Sequence, residues 1–189
     1  MSKNSFKVLR PGINTTFQDL GRDNLYHVGL PFSGAIDKRN FLIANSLVTN
    51  REDDAALEFA YQGPLLEFSG SKTSIVITGN VNFKIIKKDT SEIKGECYRT
   101  YDLNNKDCLD IISTEKSVYG YLSVKGGFQL DKFCNSYSTT VRAEVGPNDG
   151  KKIEIGQTII LNTTDSTIKK SLEYSNSKIE LIRVIKGTN

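Results

Sequence analysis

The richest run of potentially reactive side chains is NSYSTTVR, between Asn135 and Arg142. Hydroxyl and amide groups lead there to one arginine, whose planar guanidinium can hold a carboxylate through two hydrogen bonds. Glu144 follows two residues later. Arg142 therefore has two open interpretations. It is either a group that binds a carboxyl or carboxylated substrate, or one half of a salt bridge at the rim of a sheet.

Two glutamates stand in apolar surroundings, Glu58 in AALEFAYQ and Glu67 in PLLEFSG. In an alternating strand, Glu67 is expected to point outward to water. Glu58 lies between Leu57 and Phe59, and burial at the rim of a sheet would shift its proton affinity. Glu58 is thus a candidate site residue, although this pattern is not specific.

The stretch GLPFSGAID, Gly29 to Asp37, comes directly before the clearest helical pattern of the chain. Glycine and proline mark a turn, and an aspartate ahead of an apolar period is typical of a helix N-cap. These local preferences explain most of the stretch as a turn that starts a helix. Whether it is also a binding site depends on the rest of the chain.

Several familiar chemistries find no motif in this sequence. His27 is the only histidine and no serine lies in a G-x-S-x-G elbow, so neither a catalytic triad nor a zinc site is predicted. The paired glycines of VKGGF, Val124 to Phe128, are more typical of a hairpin turn than of a phosphate-binding loop. No ATP-binding or other cofactor motif is visible, and no metal site is expected.

Composition favours a globular, cytoplasmic protein. The 189 residues include 38% hydrophobic ones, enough to bury a core. Lys and Arg number 25 against 22 Asp and Glu, which gives a net charge of +3 with interspersed signs, so a nucleic-acid partner is not expected. No apolar stretch has the length of a signal peptide core or a membrane span. The three cysteines, Cys97, Cys108 and Cys134, are expected to be buried or partly buried thiols.

Outside one segment, the chain consists of short β-branched and aromatic runs separated by turn residues, which predicts a mainly β fold. The exception is DKRNFLIANSLV, about Asp37 to Val48, where apolar residues recur at helical spacing behind a possible N-cap. Asn162 to Lys178 is predicted to be an exposed loop. We expect a β-barrel with the helix plugging an open end. Eight strands are predicted: SFKVLR, LLEFS, SIVITG, FKIIKK, CLDIIST, YGYLSV, TIILN and IELIRVI.

Longer motifs in the first half resemble one enzyme family. The segment from Val8 to Phe59 carries the Pro-Gly, Thr-Thr, Gln-Asp, Gly-Arg opening, followed by Gly-x-Pro-x-Ser-Gly-Ala-x-Asp and a helix with an Ala-Asn pair. This order resembles the biotin-dependent carboxyltransferase domain family, which includes the C subunit of 5-oxoprolinase, KipA, allophanate hydrolase subunit 2 and the carboxyltransferase domain of urea carboxylase. The matching residues are Pro11, Gly12, Thr15, Thr16, Gln18, Asp19, Gly21, Arg22, Gly29, Pro31, Ser33, Gly34, Ala35, Asp37, Ala44 and Asn45.

The second half agrees with the same family but departs from it in places. GYLSVKGGF is similar to the family's strand and paired-glycine turn, and the segment after Asn135 is similar to its Gly-Ser-x-Ser-Thr-Asp-x-Arg region. Asn135 stands where the family usually has glycine and Thr140 where it has aspartate. The resemblance implies a single carboxyltransferase-type domain over 1–189 that lacks the family's second β-rich half.

The resemblance implies a cyclophilin-like β-barrel and three possible functions. The first is a component of ATP-dependent 5-oxoprolinase, which opens 5-oxoproline to glutamate with two partners, the A subunit and the KipI-like B subunit. The second is the carboxyltransferase component of a urea or amide carboxylase that uses carboxybiotin and forms allophanate. The third is a non-catalytic, KipA-like partner of a KipI-like kinase inhibitor. A small lactam or amide substrate is implied in the enzymatic cases, and neither nucleic acid nor membrane is.

Within the matched motifs, residue chemistry suggests roles for eight residues. The helix start behind Ser33, Gly34 and Asp37 offers free amides to an anion or a developing negative charge. Arg142 would hold a carboxyl or carbonyl oxygen, and amides can orient a lactam or urea because they both donate and accept. We therefore predict Arg142 and Asn45 as catalytic residues. The predicted substrate-binding residues are Ser33, Gly34, Asp37, Gln18, Glu58 and Thr139.

Overall fold

A computed structural model describes residues 3–162, 166–173 and 184 of the protein. This part of the chain contains eleven strands and one α-helix, α1 (Lys38–Leu47). Short 3-10 helices cover Tyr26–Val28, Val141–Ala143 and Asn148–Gly150. The strands are β1 (Ser5–Arg10), β2 (Thr16–Gln18), β3 (Ala56–Ala60), β4 (Leu65–Ser69), β5 (Lys72–Thr78), β6 (Val81–Ile86), β7 (Glu92–Lys94), β8 (Thr100–Asn104), β9 (Cys108–Thr114), β10 (Tyr119–Val124) and β11 (Thr158–Ile160).

The strands form two antiparallel sheets. Sheet 1 has the order β11-β1-β4-β9-β6-β7, and sheet 2 has the order β2-β3-β10-β5-β8. Apolar side chains from both sheets meet in one core, with Phe6, Phe68 and Phe83 from sheet 1 against Leu57 and Ile77 from sheet 2. The mainly β prediction is confirmed, but in the described part of the chain the two sheets do not close into one barrel.

The helix covers the outer face of sheet 2. Phe41 and Ala44 of α1 pack there on Ala56, Val76 and Tyr121. Sheet 2 is therefore buried on both faces, which explains the uninterrupted apolar runs of its central strands. The predicted helix is confirmed with Asp37 as its N-cap, but its expected position in an open barrel end is wrong. The outer face of sheet 2 is itself apolar and has to be covered.

The remaining sequence-based expectations have mixed outcomes. Seven of the eight predicted strands are present, and IELIRVI lies outside the described residues apart from Val184. The described part of the predicted loop, 166–173, is largely exposed and runs beside β8, where the Thr100 amide donates to the Lys170 carbonyl at 2.9 Å. The three cysteines are free thiols, but Cys134 is exposed rather than buried because it lies in an irregular loop.

Candidate functional site

Three segments that carry the family-like motifs meet at one end of sheet 2. We call this meeting point the loop junction and define it as residues 18–22, 31–37 and 136–142. Backbone hydrogen bonds fasten the first two segments together, from the Arg22 amide to the Phe32 carbonyl at 2.8 Å and from the Ala35 amide to the Asp19 carbonyl at 2.9 Å. The third segment lies along β2, where the Thr139 amide donates to the Phe17 carbonyl at 2.9 Å.

Two glycines allow the first two segments to cross closely. Gly34 has a φ of 88°, and a Cβ added there would lie 2.9 Å from the Gly21 nitrogen. Gly21 has a φ of 94°, and its added Cβ would lie 2.6 Å from the Phe32 ring. Any larger residue at either position would push the segments apart. Gly34 is thus a point of close backbone contact between the two segments, and its role in substrate binding stays a prediction.

The buried carboxylate of Asp19 organises the third segment. Its Oδ1 accepts hydrogen bonds from the Ser136 and Ser138 hydroxyls, at 2.8 and 2.6 Å, and from the Gly21 amide at 2.8 Å. Its Oδ2 accepts from the Tyr137 amide. A buried carboxylate needs such donors to replace water. Asp19 therefore fixes the path of the serine-rich segment beside Arg22.

Arg22 is the central side chain of the loop junction and is only 2% exposed. Its Nη1 donates to the Thr140 hydroxyl at 2.8 Å and its Nη2 to the Ser138 carbonyl. The guanidinium carbon lies 5.5 Å from the centre of the Phe133 ring, and Nε has no partner in the described part of the chain. Burial lowers the pKa of Arg22, while the nearby Asp19 acts in the opposite direction. An arginine remains protonated even when its pKa is lowered by burial, so the loop junction holds a buried cation.

Ser33 and Thr140 form a hydroxyl pair in front of this cation. Ser33 has a φ of 59°, and its Oγ lies 2.6 Å from the Thr140 Oγ1. Arg22 donates to Thr140 Oγ1 and so uses none of the protons of the two hydroxyls. Of these two protons, one lies in the hydrogen bond between Ser33 and Thr140, and the other is left to donate elsewhere. For the second proton the described residues offer only the Pro31 carbonyl, 3.5 Å from Ser33 Oγ. The hydroxyl pair can therefore donate a hydrogen bond to a substrate oxygen.

The start of α1 is less open than we expected. Asp37 Oδ1 accepts from the Asn40 amide at 3.0 Å and Oδ2 from the Asn40 side chain at 2.7 Å. The amides of Ile36 and Asp37 point inward to Glu58 and Tyr121. The aspartate thus places its own negative charge at the helix start, and these amides are not available to an anion.

Glu58 is 5% exposed and faces the helix start from β3. Its Oε2 accepts from the Tyr121 hydroxyl at 2.6 Å and from the Ile36 amide at 2.9 Å. Burial raises the pKa of Glu58, against the effect of these hydrogen bonds, in the direction expected for a carboxylate removed from water. Glu67, by contrast, pairs with Lys106 near the surface, with 3.0 Å between Oε1 and Nζ.

Gln18 and Thr139 also point into the protein. The Gln18 Nε2 donates to the Thr16 hydroxyl and to the Thr139 carbonyl, both at 2.9 Å, and the Thr139 hydroxyl donates to the Pro147 carbonyl at 3.1 Å. Gln18 Oε1 is buried and has no partner among the described residues. The Thr139 side chain therefore supports the loop junction from inside the protein, whereas the side chain of its neighbour Thr140 contacts Ser33.

Asn45 lies apart from the loop junction. It is 0% exposed, between α1 and sheet 2, and about 12 Å along the helix axis from Asp37 at 1.5 Å per residue. Its Nδ2 donates to the Asp54 carbonyl at 2.7 Å, and its Oδ1 accepts from the Ser123 hydroxyl at 2.9 Å. Because the amide is engaged at both ends inside the protein, the structure does not bring Asn45 together with the other predicted site residues.

Arg142 lies at the surface of the junction, in the 3-10 helix that follows Thr140. Among the described residues it makes no hydrogen bond or ion pair, so the salt bridge with Glu144 that the sequence left open is not formed there. Its guanidinium is accessible to a ligand. His27 is likewise exposed, in the 3-10 helix Tyr26–Val28.

Four residues of the site were missed by sequence reasoning: Asp19, Arg22, Thr140 and Tyr121. Asp19 and Arg22 belong to the Gln-Asp and Gly-Arg motifs, and Thr140 marks a departure from the family pattern, so these three carried a usable signal. Tyr121 lies within an apolar strand run, YGYLSV, and nothing in that run distinguishes a hydroxyl that faces the helix start.

Across the described residues, no helix is long and apolar enough to cross a membrane. The same residues contain no group of three or more His, Cys, Asp or Glu side chains placed to hold a metal ion.

Comparisons with known proteins agree with the motifs of the junction. The chain is 32% identical over 172 residues to the C subunit of 5-oxoprolinase from Haemophilus influenzae, covering 91% of this chain and 53% of that protein. It is 29% identical over 170 residues to urea amidolyase of Saccharomyces cerevisiae, covering 89% of this chain and 9% of that protein. Its fold matches the crystal structure of Kluyveromyces lactis urea carboxylase with a TM-score of 0.79 at 28% identity, over 91% of this chain and 15% of that one.

The chain thus spans about half the length of the 5-oxoprolinase component that it matches and a small part of the urea-processing enzymes. A sequence model of the family described as carboxyltransferase domain, subdomain A and B, matches residues 28–189. This range includes two of the three segments of the loop junction. The protein therefore belongs to the carboxyltransferase domain family, subdomain A and B.

Proposed function

We propose that this protein is a component of an ATP-dependent 5-oxoprolinase, in which it helps to open 5-oxoproline to glutamate together with the A and B subunits of that enzyme. The support is its 32% identity to the C subunit of a 5-oxoprolinase over 91% of the chain. ATP would be used by the assembled enzyme, since no ATP-binding motif is visible in this sequence. We expect the assembly to be cytoplasmic.

The observation that carries the proposal is the hydrogen-bond chain from Arg22 through Thr140 to Ser33. Attack on a lactam carbonyl places negative charge on its oxygen, and a fixed donor backed by a buried cation stabilises such charge. The Ser33–Thr140 pair has a proton to donate to that oxygen. Arg142, exposed two residues beyond Thr140, would attract the substrate carboxylate.

The test is reconstitution. The protein is assembled with the A and B subunits, and ATP hydrolysis that depends on 5-oxoproline is measured. Turnover in the complete assembly, lost when this chain is omitted, is the expected result. Absence of turnover with all components present and folded would overturn the proposal.

A second candidate is the carboxyltransferase component of a urea or amide carboxylase, which would accept a carboxyl group from carboxybiotin. The match to urea amidolyase and the TM-score of 0.79 with a urea carboxylase favour it. The same junction would then stabilise the oxygen of carboxybiotin or hold the urea carbonyl. Urea-dependent carboxyl transfer with a biotin carboxylase partner, and no turnover of 5-oxoproline, is the outcome that selects this candidate. Activity in neither assay favours a regulatory role.

A further inference from the structure

We propose that Glu58 and Tyr121 are positioning residues, which hold the turn from Ser33 to Asp37 so that the Ser33 hydroxyl stays on Thr140. They act through the backbone of the turn and do not touch the substrate. The activity part of this inference rests on the function proposed above. The structural part does not depend on it.

The two side chains form a short hydrogen-bond chain under the turn. Glu58 on β3 and Tyr121 on β10 are directly paired across sheet 2. The Tyr121 hydroxyl donates to Glu58 Oε2 at 2.6 Å and accepts from the Asp37 amide at 2.7 Å. The same carboxylate oxygen accepts from the Ile36 amide at 2.9 Å. Two consecutive amides of one turn are thus attached to one rigid pair of strands.

Burial makes this attachment strong. Glu58 is 5% and Tyr121 0% exposed, so a lost hydrogen bond in this chain leaves a polar group without water to replace its partner. Burial also raises the pKa of Tyr121, which keeps its hydroxyl protonated and able to donate. The chain of donors and acceptors therefore has one favourable arrangement.

The attachment matters because it holds the end of the turn that leads into α1, whereas the Arg22–Phe32 backbone bond and the Gly34–Gly21 crossing hold the other end. Ser33 and Gly34 both have positive φ, 59° and 88°, and on the other side the turn is held by the Ala35 amide bond to Asp19 and by the hydroxyl contact with Thr140. Ser33 is three residues from Ile36. A release of Ile36 and Asp37 would let the Ser33 hydroxyl move relative to Thr140, and a shift of about 1 Å in a reacting group can cost about 100-fold in rate.

Tyr98, in the turn before β8, provides a matched comparison. Its hydroxyl donates to Asn40 Oδ1 at 2.8 Å and accepts from the Gly79 amide at 3.1 Å. It therefore also supports the start of α1 from a buried position, but it reaches the helix rather than the turn. Tyr98→Phe and Tyr121→Phe each remove one buried hydroxyl that accepts from a backbone amide and donates to a side-chain oxygen. After Tyr121→Phe, Glu58 Oε2 still accepts from the Ile36 amide.

The experiment compares these two variants in the full chain and in the assembly with the A and B subunits. Both should lower Tm by a similar amount, about 3–8 °C. Only Tyr121→Phe should speed hydrogen exchange at residues 33–37 and lower kcat, by about 10- to 100-fold, with little change in KM. Equal exchange at 33–37 in Tyr121→Phe and wild type, or an equal effect of Tyr98→Phe there, overturns the inference.

A pair of Glu58 variants separates positioning from bulk stability. Glu58→Gln keeps a carbonyl acceptor at the same place and should restore most of the exchange protection and kcat that Glu58→Ala loses. If wild type turns over neither 5-oxoproline nor urea, the proposed function fails. The exchange data then still decide whether Glu58 and Tyr121 hold the turn. If wild type is active and kcat is unchanged in Tyr121→Phe despite faster exchange, the positioning role is rejected while the function stands.

Discussion

The loop junction and the region around Asn45 both hold polar side chains packed away from water, but they differ in what those side chains leave unpaired. The Asn45 side-chain amide donates to the Asp54 carbonyl and accepts from the Ser123 hydroxyl, so these groups are all hydrogen-bonded. At the junction, Arg22 Nε and Gln18 Oε1 have no partner among the described residues, and the Ser33–Thr140 pair has a proton to spare. Burial of a polar residue alone therefore does not identify a site, whereas a spare hydroxyl proton next to a buried cation points to one.

Replacement of Asn45 should have the largest effect on stability and none on chemistry. Asn45→Ala leaves the Asp54 carbonyl and the Ser123 hydroxyl without their partner in a buried layer, so the free energy of unfolding should fall by about 2–4 kcal/mol. Urea unfolding measures this loss, and kcat per folded molecule should stay at the wild-type value. Asn105→Ala, at an exposed turn, is the control. A loss of kcat in folded Asn45→Ala would instead support the catalytic role that the sequence predicts for Asn45.

Arg22→Met should reduce both stability and activity. It leaves the Ser138 carbonyl without this donor, at a cost of about 1–3 kcal/mol, while the Thr140 hydroxyl keeps only its contact with Ser33. It also removes the cation behind the hydroxyl pair, with a loss of about 100-fold in kcat. Arg10 is the matched control, because its Nε is also buried without a partner in the described part of the chain, but its guanidinium pairs with Asp110 at 2.8 Å. Arg10→Met should lose stability while keeping kcat. Equal losses of kcat in the two variants would mean that Arg22 is only structural.

Ser33→Gly should affect activity far more than stability. Glycine accepts the φ of 59° that Ser33 adopts, so unfolding should change by less than about 1 kcal/mol. The loss of the terminal donor should lower kcat about 10- to 100-fold, because a preorganised donor to a developing charge contributes about that much. Thr90→Gly removes a hydroxyl from a similar φ of 68° in the turn between β6 and β7 and should be neutral in kcat. Full activity of Ser33→Gly contradicts the proposed donor.

The elements that build both regions were largely predictable from sequence, for reasons that are local. Asp37 before an apolar period predicts the helix and its cap, and alternation predicts strands such as β6 and β9. The position of α1 was not predictable, because the uninterrupted apolar run of β5 shows two buried faces without showing what covers each one. Strand order and the pairing of β3 with β10 join residues about sixty positions apart, which no local pattern encodes.

The site was predictable as a set of segments but not as a set of side chains. All three segments of the junction were identified by their motifs, and Ser33 and Gly34 lie at their crossing. The choice between Arg22 and Arg142 could not be made from sequence, since both lie in motif segments and only the packing around Asp19 and Phe133 buries one of them. Thr139 and Thr140 were likewise indistinguishable until the register with β2 placed one inside and one outside.

Glu58 lies at the border of the loop junction, and its ionisation should make the free energy of unfolding depend on pH. Its folded pKa is raised from 4.5, so the folded carboxyl binds its proton more tightly than the unfolded one, and stability falls as pH rises through the raised value. Glutamine has no such dependence. As pH rises from about 4 to about 7, the wild type should therefore lose stability relative to Glu58→Gln. This relative loss in unfolding free energy is at most about 1.4 kcal/mol per pH unit. A flat difference in pH-dependent urea unfolding would contradict this.

Replacement of Arg142 should have the smallest effect on stability and thereby sharpen the contrast with Arg22. Arg142 is exposed and makes no hydrogen bond or ion pair within the described part of the chain, so Arg142→Ala should change the free energy of unfolding by no more than about 0.5 kcal/mol. If its guanidinium attracts the substrate carboxylate, KM for 5-oxoproline should rise about 10-fold or more, and the rise should shrink in high salt because an exposed charge is screened. Arg99→Ala, an exposed arginine at the far side of sheet 2, is the control. An unchanged KM would mean that the reaction needs the buried Arg22 and not Arg142. A large loss of stability would show instead that Arg142 supports the fold.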